Sequence, residues 1–457
     1  MKDKQINREI LRLAGPSILA NITVPLVGMV DTAVVGHLGG SAASLIGGIA
    51  IGSMLFDLLY WNFGFLRVTT GGMTAQAYGK WQGSNRDVPA SECADTLTRS
   101  FLIALASAFL LIAIQWVFVD FAFLFVKCSE EVEVLARQYF RIRIWAAPAT
   151  LSLMAFKGWF IGMQDSVSAM ATDLVVNIVN IVASIVLALG IGRIDGLGYP
   201  GVAYGTVIAQ YSGLLCAFGL LVGRYRKIVL PALRVKGVFT GSQMLKMFNM
   251  NRDIFIRSLC FIAVYIGYTI LSARFGDALL ASCSIMMKLL MIFSYFIDGF
   301  AYAGEAMTGI FIGLEDPVKL RKSVRWNFVW CAGIALAFMF IYGFGGNLMV
   351  RLMTSDPQVA DTSRQYILWL LLMPVAGCAA FAWDGIFIGA TKSSYMRDAM
   401  LLSVLSFFAV WFIGCFLIGG SATPEAHVHV LMAAYFAHLA ARSIHLTIKS
   451  PAIYDHS

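Results

Sequence analysis

Charge is scarce in this chain. Asp, Glu, Lys and Arg make up 13% of 457 residues and 59% are hydrophobic, against about 25% and about 45–50% in an average soluble domain. So little polar side chain cannot cover a water-exposed surface. Soluble and disordered classes are excluded, leaving a polytopic membrane protein, and the mean hydropathy of +0.76 agrees. Paired cysteines are missing as well. Cys93, Cys128, Cys216, Cys260, Cys283, Cys331, Cys378 and Cys415 stand singly, with no C-x-x-C and no Cys/His ligand spacing, which argues against a disulfide scaffold or structural zinc. No G-x-x-x-x-G-K-[ST] occurs, so the chain has no ATPase of its own. Neither H-E-x-x-H nor G-x-S-x-G is found, and an enzyme is not expected. The apolar runs lack barrel-type alternation, so helices are the spanning form. No small-residue cleavage site follows the polar start MKDKQINREILRLAG, and a removable signal peptide is not expected.

What is present is a series of long apolar runs. At about 20 residues per spanning helix, twelve are expected, over 10–36, 45–77, 98–125, 136–161, 167–191, 200–223, 254–274, 279–312, 326–349, 363–389, 396–419 and 426–447. The net charge of +8 would suggest nucleic acid in a soluble protein. Here the basic residues fall mainly in short loops and read as orientation signals, with no nucleic-acid partner. Lys2, Lys4, Arg8, Arg12, Lys80, Arg86, Arg99, the linker with Arg224, Arg226, Lys227, Arg234, Lys236, Lys246 and Arg252, and Lys319 to Arg325, Lys392, Arg397, Arg442 and Lys449 gather on one side. Lys127, Arg193, Arg274, Arg351 and Arg364 fall on the other, with Arg137, Arg141 and Arg143 beside Glu130, Glu131 and Glu133. That asymmetry predicts a multi-pass protein of the cell inner membrane with both termini cytoplasmic.

The chain also repeats itself. Phe156-Lys-Gly-Trp-Phe-Ile-Gly-Met-Gln-Asp-Ser166 matches Trp383-Asp-Gly-Ile-Phe-Ile-Gly-Ala-Thr-Lys-Ser393 without gaps at an offset of 227. Gly64-Phe65 to Gly79 and Gly299-Phe300 to Gly313 recur at nearly the same offset. Small-residue packing alone gives G-x-F-I-G patterns, but two matches at similar spacing favour duplication. The expected fold is all-α: twelve transmembrane helices in two pseudo-symmetric six-helix bundles, 1–223 and 253–457, joined by a basic cytoplasmic linker, 224–252. Duplicated halves suit a secondary transporter working by alternating access.

Intramembrane charges locate the candidate machinery, because burial there is costly. Asp31 lies deep in the first span with no basic residue within one turn. A carboxylate in a low dielectric favours its neutral form and can exchange a proton near neutral pH; a buried structural acceptor is the plainer alternative. Pro16 and Pro25 can each kink the same helix. Asn177, Asn180 and Ser184 share one face of the fifth span. In the eighth, Lys288, Asp298 and Glu305 fall roughly on one face and form a candidate substrate or polar network, a static pairing being equally open. Asp57 and Arg67 are ten residues apart in the second span. Lys157 and Asp384 occupy equivalent positions of the repeat; a contact between halves is conceivable, with solvated loop-edge charges the simpler reading. His427, His429, His438 and His445 lack companion ligands, so no metal site is expected. The 21 Met and 33 Phe suit a plastic ligand pocket and equally a lipid-facing surface.

Val30-Asp-Thr-Ala-Val-Val-Gly-His-Leu-Gly39 looks like the helix 1 signature of the multidrug and toxic compound extrusion (MATE) family. Trp61-Asn-Phe-Gly-Phe-Leu-Arg67 with Thr74-Ala-Gln-Ala-Tyr-Gly79 resembles the DinF-like branch. Gly162 to Ser166, Gly201 to Gln210 and Asp298 to Glu305 are similar to further family segments. The resemblance implies export of organic, often cationic compounds against inward protons or sodium, with no cofactor, by a chain expected to act as a monomer on a small organic substrate amid membrane lipid. It assigns cation coupling to Asp31, places Pro16 at the family's position in a helix thought to bend on protonation, and matches Asn180 and Thr206. Where many bacterial members carry Asp four residues after the Asn, this chain has Ser184. With one carboxylate missing the pocket is a poor cage for a hydrated cation, so proton coupling ranks above sodium. Arg67 belongs to the branch motif and is a candidate to hold Asp31. A lipid-linked precursor flippase would need a markedly basic cavity, whereas Asp31, Asp298 and Glu305 are acids; a channel is disfavoured by the duplication.

Overall fold

The computed structural model describes residues 3–38, 42–84, 90–124, 126, 128–191, 194–233, 241–354, 356–419 and 422–455. Lys2, Arg86, Lys127, Arg193, Arg234 and Lys236, used above for orientation, lie outside them. Eleven helical segments are long and apolar enough to cross a membrane: α1 (Asp3–Gly36), α2 (Ser44–Gly83), α3 (Ser91–Phe123), α4 (Glu130–Gly162), α5 (Ser166–Leu189), α6 (Tyr199–Tyr225), α7 (Gly241–Phe275), α8 (Asp277–Gly313), α9 (Pro317–Met353), α10 (Ile367–Gly389) and α11 (Ser393–Ile418). A further helix, α12 (Pro424–Lys449), has 26 residues. It falls short in apolarity because it carries four His with Glu425, Arg442 and Lys449. All twelve coincide with the expected spans; α1, α3, α4, α7 and α9 begin six or more residues earlier, α2 ends six later, and α10 begins four later. Among the described residues there is, beyond the helices, one two-residue antiparallel pairing, Gly190–Ile191 with Ile194–Asp195. Side chains such as Phe344 (89% exposed) and Phe416 (84%) point outward, as the lipid face of a spanning helix requires.

Contacts divide the chain into two units, an N-terminal one of Leu19–Met247 and a C-terminal one of Met1–Ile18 with Phe248–Ser457. This departs from the expected 1–223, 224–252 and 253–457. The first half of α1 packs on α8 and α9: Trp330 donates to Asn7 Oδ1 at 2.9 Å, Lys322 pairs with Asp3, and Gly299 sits against Ala14 and Ile18. The boundary therefore falls two residues after Pro16. The end of the expected linker is the start of α7, where Lys246 donates to Gln76 Oε1 at 3.3 Å within the N-terminal unit.

Each unit repeats one packing frame. A Cβ on Gly158 would lie 2.2 Å from Arg67 O, and one on Gly385 would lie 1.9 Å from Ala301 O. One turn on, Gly162 meets Gly71 O and Thr74, and Gly389 meets Glu305 O and Thr308. α4 thus lies on α2 as α10 lies on α8, at the glycines of the 227-residue repeat. Both repeats end in the same turn. In Phe160-Ile-Gly-Met-Gln-Asp165 and Phe387-Ile-Gly-Ala-Thr-Lys392, Gln164 and Thr391 take φ of 59° and 55°, and the sixth residue's N–H returns to the Phe carbonyl. A third copy, Phe311-Ile-Gly-Leu-Glu-Asp316, closes α8 with Glu315 at φ 55°.

Among the described residues two spans are interrupted, and a third, α10, is perturbed without breaking. α2 breaks at Asn62–Gly64, where Asn62 Nδ2 bonds back to Leu58 O at 2.7 Å. α4 tightens to a 3₁₀ turn at Ile144–Ala146, just before Pro148. α10 carries Pro374, and beyond it Ser443 of α12 inserts into the helical ladder, donating to Ala376 O at 2.6 Å and accepting from Ala380 N at 3.0 Å. Inserted groups and 3₁₀ turns are where long helices bend. By contrast, α1 runs as one helix through Pro16 and Pro25.

Candidate functional site

In the N-terminal unit the expected residues converge. Asp31 on α1 is 6% exposed. Its Oδ1 has no hydrogen-bond partner among the described residues, and the Ser184 hydroxyl of α5 faces its carboxyl. Ser184 donates to Asn180 Oδ1 at 3.3 Å, and Asn180 Nδ2 donates to Thr206 Oγ1 of α6 at 3.1 Å. Gly205 makes that meeting possible, because a Cβ there would lie 2.7 Å from Ser184 N and Oγ. Asn177 lies elsewhere on its face of α5: its Nδ2 donates to Thr23 Oγ1 at 2.6 Å, tying α5 to α1 two residues before Pro25.

A residue of different expected role completes this group. Arg143, read from the sequence as part of a solvent-side basic cluster, projects from the end of the first segment of α4. Its Nη1 donates to Tyr139 Oη at 3.2 Å and Ser53 Oγ at 3.4 Å, and the guanidinium lies 4.8 Å above the Phe56 ring. Its charge reaches both Asp31 and Asp57, yet among the described residues neither carboxylate lies within ion-pairing distance of it. The sequence signal was there. Arg137 has Glu133 one turn away, at 2.8 Å, whereas the neighbours of Arg143 at three and four residues are apolar or Tyr139. The arginine whose charge reaches Asp31 is thus Arg143, and α2 breaks between Asp57 and Arg67, so their ten-residue spacing is not that of one continuous helix.

The C-terminal unit carries a different cluster. Asp384 on α10 is 7% exposed, and its Oδ2 accepts from Arg257 Nη2 of α7 and Arg442 Nη2 of α12 at 2.5 Å each. Arg442 also stacks over Phe381 at 5.2 Å. Asp384 is therefore not a solvated loop-edge charge, and Lys157, its counterpart in the repeat, bonds Asp173 Oδ2 at 2.6 Å within the N-terminal unit. Along α8, Lys288 is exposed, Asp298 half-buried and Glu305 fully buried, so the shared face grades from surface to interior. His438 is buried and His429 Nδ1 accepts from Trp369 at 3.0 Å. No group of three or more His, Cys, Asp or Glu able to hold a metal occurs among the described residues.

The family model MatE matches residues 16–186 and 254–417. The chain belongs to the MatE family. It is thereby a membrane transporter of the multidrug and toxic compound extrusion type, acting on small organic compounds and not an enzyme. DNA damage-inducible protein F of Escherichia coli (strain K12) is 35% identical over 410 residues, covering 88% of this chain and 84% of that protein. Protein DETOXIFICATION 44, chloroplastic, of Arabidopsis thaliana is 23% identical, covering 87% and 75%. Among solved structures, a MATE in its bent conformation superposes with a TM-score of 0.82 at 16% identity, covering 99% of this chain and 98% of that one. An outward-facing multidrug resistance MATE transporter gives 0.77 at 18%, covering 99% of each. These likenesses establish the twelve-helix, two-bundle fold.

Proposed function

We propose that this MatE member exports monovalent, amphipathic organic cations in exchange for inward protons, with Asp31 as the proton carrier and the two bundles alternating access. The observation that carries this reading is the setting of Asp31: a buried carboxylate in the last two turns of α1, beside the Ser184–Asn180–Thr206 chain. Hydroxyl and amide groups stabilise either protonation state without fixing one, which suits a group that must both take and release a proton. Sodium fits less well. A sodium site needs several oxygens with enough negative charge, whereas Ser184 stands where a second carboxylate would help and the Arg143 cation bears on the same spot. Orientation with both termini in the cytoplasm and residence in a bacterial inner membrane belong to the same reading, supported by the loop charges.

A flippase for anionic lipid-linked precursors draws support from one observation, the two arginines of the C-terminal unit. Both, however, are engaged by Asp384. Inside-out vesicles with proton and sodium gradients imposed separately decide the coupling. Ethidium accumulation driven by the proton gradient and abolished by Asp31→Asn is expected. Accumulation driven by sodium alone, or retained by Asp31→Asn, would overturn the proposal.

A further inference from the structure

Asp57 is the acid of the N-terminal unit that the Asp31 pathway leaves unused. It lies on α2, exposed, with no ion pair among the described residues. Ser53, one turn before it, and Phe56, its neighbour, both touch the Arg143 guanidinium. One arginine therefore rests on neutral hydroxyls and a ring face while two carboxylates, one buried and one exposed, lie within its electrostatic range. Held this way it exchanges partners at little cost, because weak neutral hydrogen bonds are given up for a charge-assisted one. Arg143 itself adjoins a helix irregularity, the 3₁₀ turn Ile144–Ala146 in α4, and 3₁₀ stretches inside a helix often mark hinges.

We propose that Asp57 is the acceptor for the substrate's cationic group, and that Arg143 couples it to Asp31 by pairing with whichever carboxylate is left ionised and unoccupied. The proposal rests on Asp31 as proton carrier. When the Asp31 O–H bond breaks and its proton passes to water, the new carboxylate draws Arg143 and frees Asp57 to bind a monovalent organic cation. When Asp31 regains a proton, Arg143 returns to Asp57 and displaces the cation. With two carboxylates and one fixed guanidinium, the site carries one excess negative charge when Asp31 is ionised and none when it is protonated. One proton is then exchanged for one monovalent cation. The other titratable groups facing these residues are Tyr60 on α2, Tyr139 on α4 and Tyr199 and Tyr211 on α6. A phenol stays neutral across the working pH range, so none supplies a competing charge. Asp173 of α5 is bound to Lys157.

The test is ethidium binding to the purified full-length transporter between pH 5.5 and 8.5, followed by fluorescence, with tetraphenylphosphonium as competitor. Wild type binds more tightly as pH rises. Asp57→Asn weakens binding at least roughly tenfold at every pH, while the substrate-free protein still releases a proton from Asp31. Asp31→Asn, a mimic of the protonated state, binds weakly at all pH. The decisive variant is Asp31→Asn with Arg143→Gln, which regains ethidium binding because Asp57 is no longer covered. Arg143→Gln alone binds with little pH dependence, and Arg143→Lys restores that dependence, which a purely structural arginine would not predict. Wild-type affinity in Asp57→Asn, or a double variant no better than Asp31→Asn, would overturn the relay. Failure of the underlying proton reading shows elsewhere, as sodium-driven, proton-independent ethidium transport by the wild type.

Discussion

The two units share a backbone frame and use charge in opposite ways. At equivalent positions of the repeat the N-terminal unit has Lys157 and the C-terminal unit Asp384. In the N-terminal unit, Arg143 acts electrostatically on Asp31 and Asp57 while resting on Ser53, Tyr139 and the Phe56 ring, and among the described residues it pairs with neither carboxylate. In the C-terminal unit, Asp384 is gripped by two guanidiniums from different helices, and the residue next to Arg442, Ser443, is built into the ladder of α10. A buried ion pair in full contact is a fixed strut, because removing one partner leaves charge stranded. Charges held short of contact can be redistributed by a proton or a ligand. Duplication supplied one scaffold twice, and the side chains laid on it differ: one copy carries carboxylates without an ion pair among the described residues, the other a carboxylate bridged by two arginines.

The largest expected effect comes from making the same substitution in both units. Asp384→Asn leaves Arg257 and Arg442 without their anion and should cost about 3–5 kcal/mol, read as a large fall in apparent melting temperature and in yield from the membrane. Asp31→Asn should leave melting nearly unchanged and abolish proton-driven transport. If Asp384→Asn were stable and Asp31→Asn unfolded, the division between strut and switch would be reversed.

A middle-sized effect probes the shared frame. Ala at Gly158 or Gly385 drives a methyl into a carbonyl 2.2 or 1.9 Å away, which forces two helices apart at a cost of about 1–3 kcal/mol. Both variants should destabilise, Gly385→Ala the more. A loss confined to one unit would mean that the two glycine seams are not equivalent and would weaken the case for a common scaffold.

Much of this arrangement was legible in the sequence. The spans were visible because a bilayer demands long apolar runs, and the repeat because glycines at a helix seam tolerate no substitute. Asp31, Asn180, Ser184 and Thr206 came together as helical spacing within α5 and resemblance elsewhere implied. Arg143 reads differently in the sequence because loop charge counts treat every arginine near a span's end as solvent-facing, while two of its partners, Ser53 and Phe56, lie on α2, far away in the chain. Arg257 and Arg442 were counted, if at all, as orientation signals, since three helices far apart in sequence meet only in the fold. The third Phe-Ile-Gly turn escaped because its flanking residues, Leu314 and Glu315, share no identity with the other copies.

The smallest effect concerns those turns, two of which end in an acid that caps the next helix while the third ends in Lys392. Burial pushes the Asp165 carboxyl up, but hydrogen bonds from the Ser168 hydroxyl and N–H, Arg224 and Tyr225 outweigh it and hold it below the usual carboxylate range. The side chain and N–H of Lys319 do the same for Asp316, which is little buried. A carboxyl lowered in the fold stabilises it above the unfolded value, near pH 4, and that contribution fades as pH falls through the folded value. Melting temperature should therefore drop on acidification below about pH 4. Asp165→Asn should flatten that limb measurably, because its partners span α5 and α6. Asp316→Asn should flatten it less, since an exposed pair with one lysine is screened by salt. Lys392→Gln serves as the control and should leave the limb unchanged. Equal flattening by all three substitutions would mean that the turns differ in sequence alone and that the acids contribute no more than any helix cap, about 1 kcal/mol.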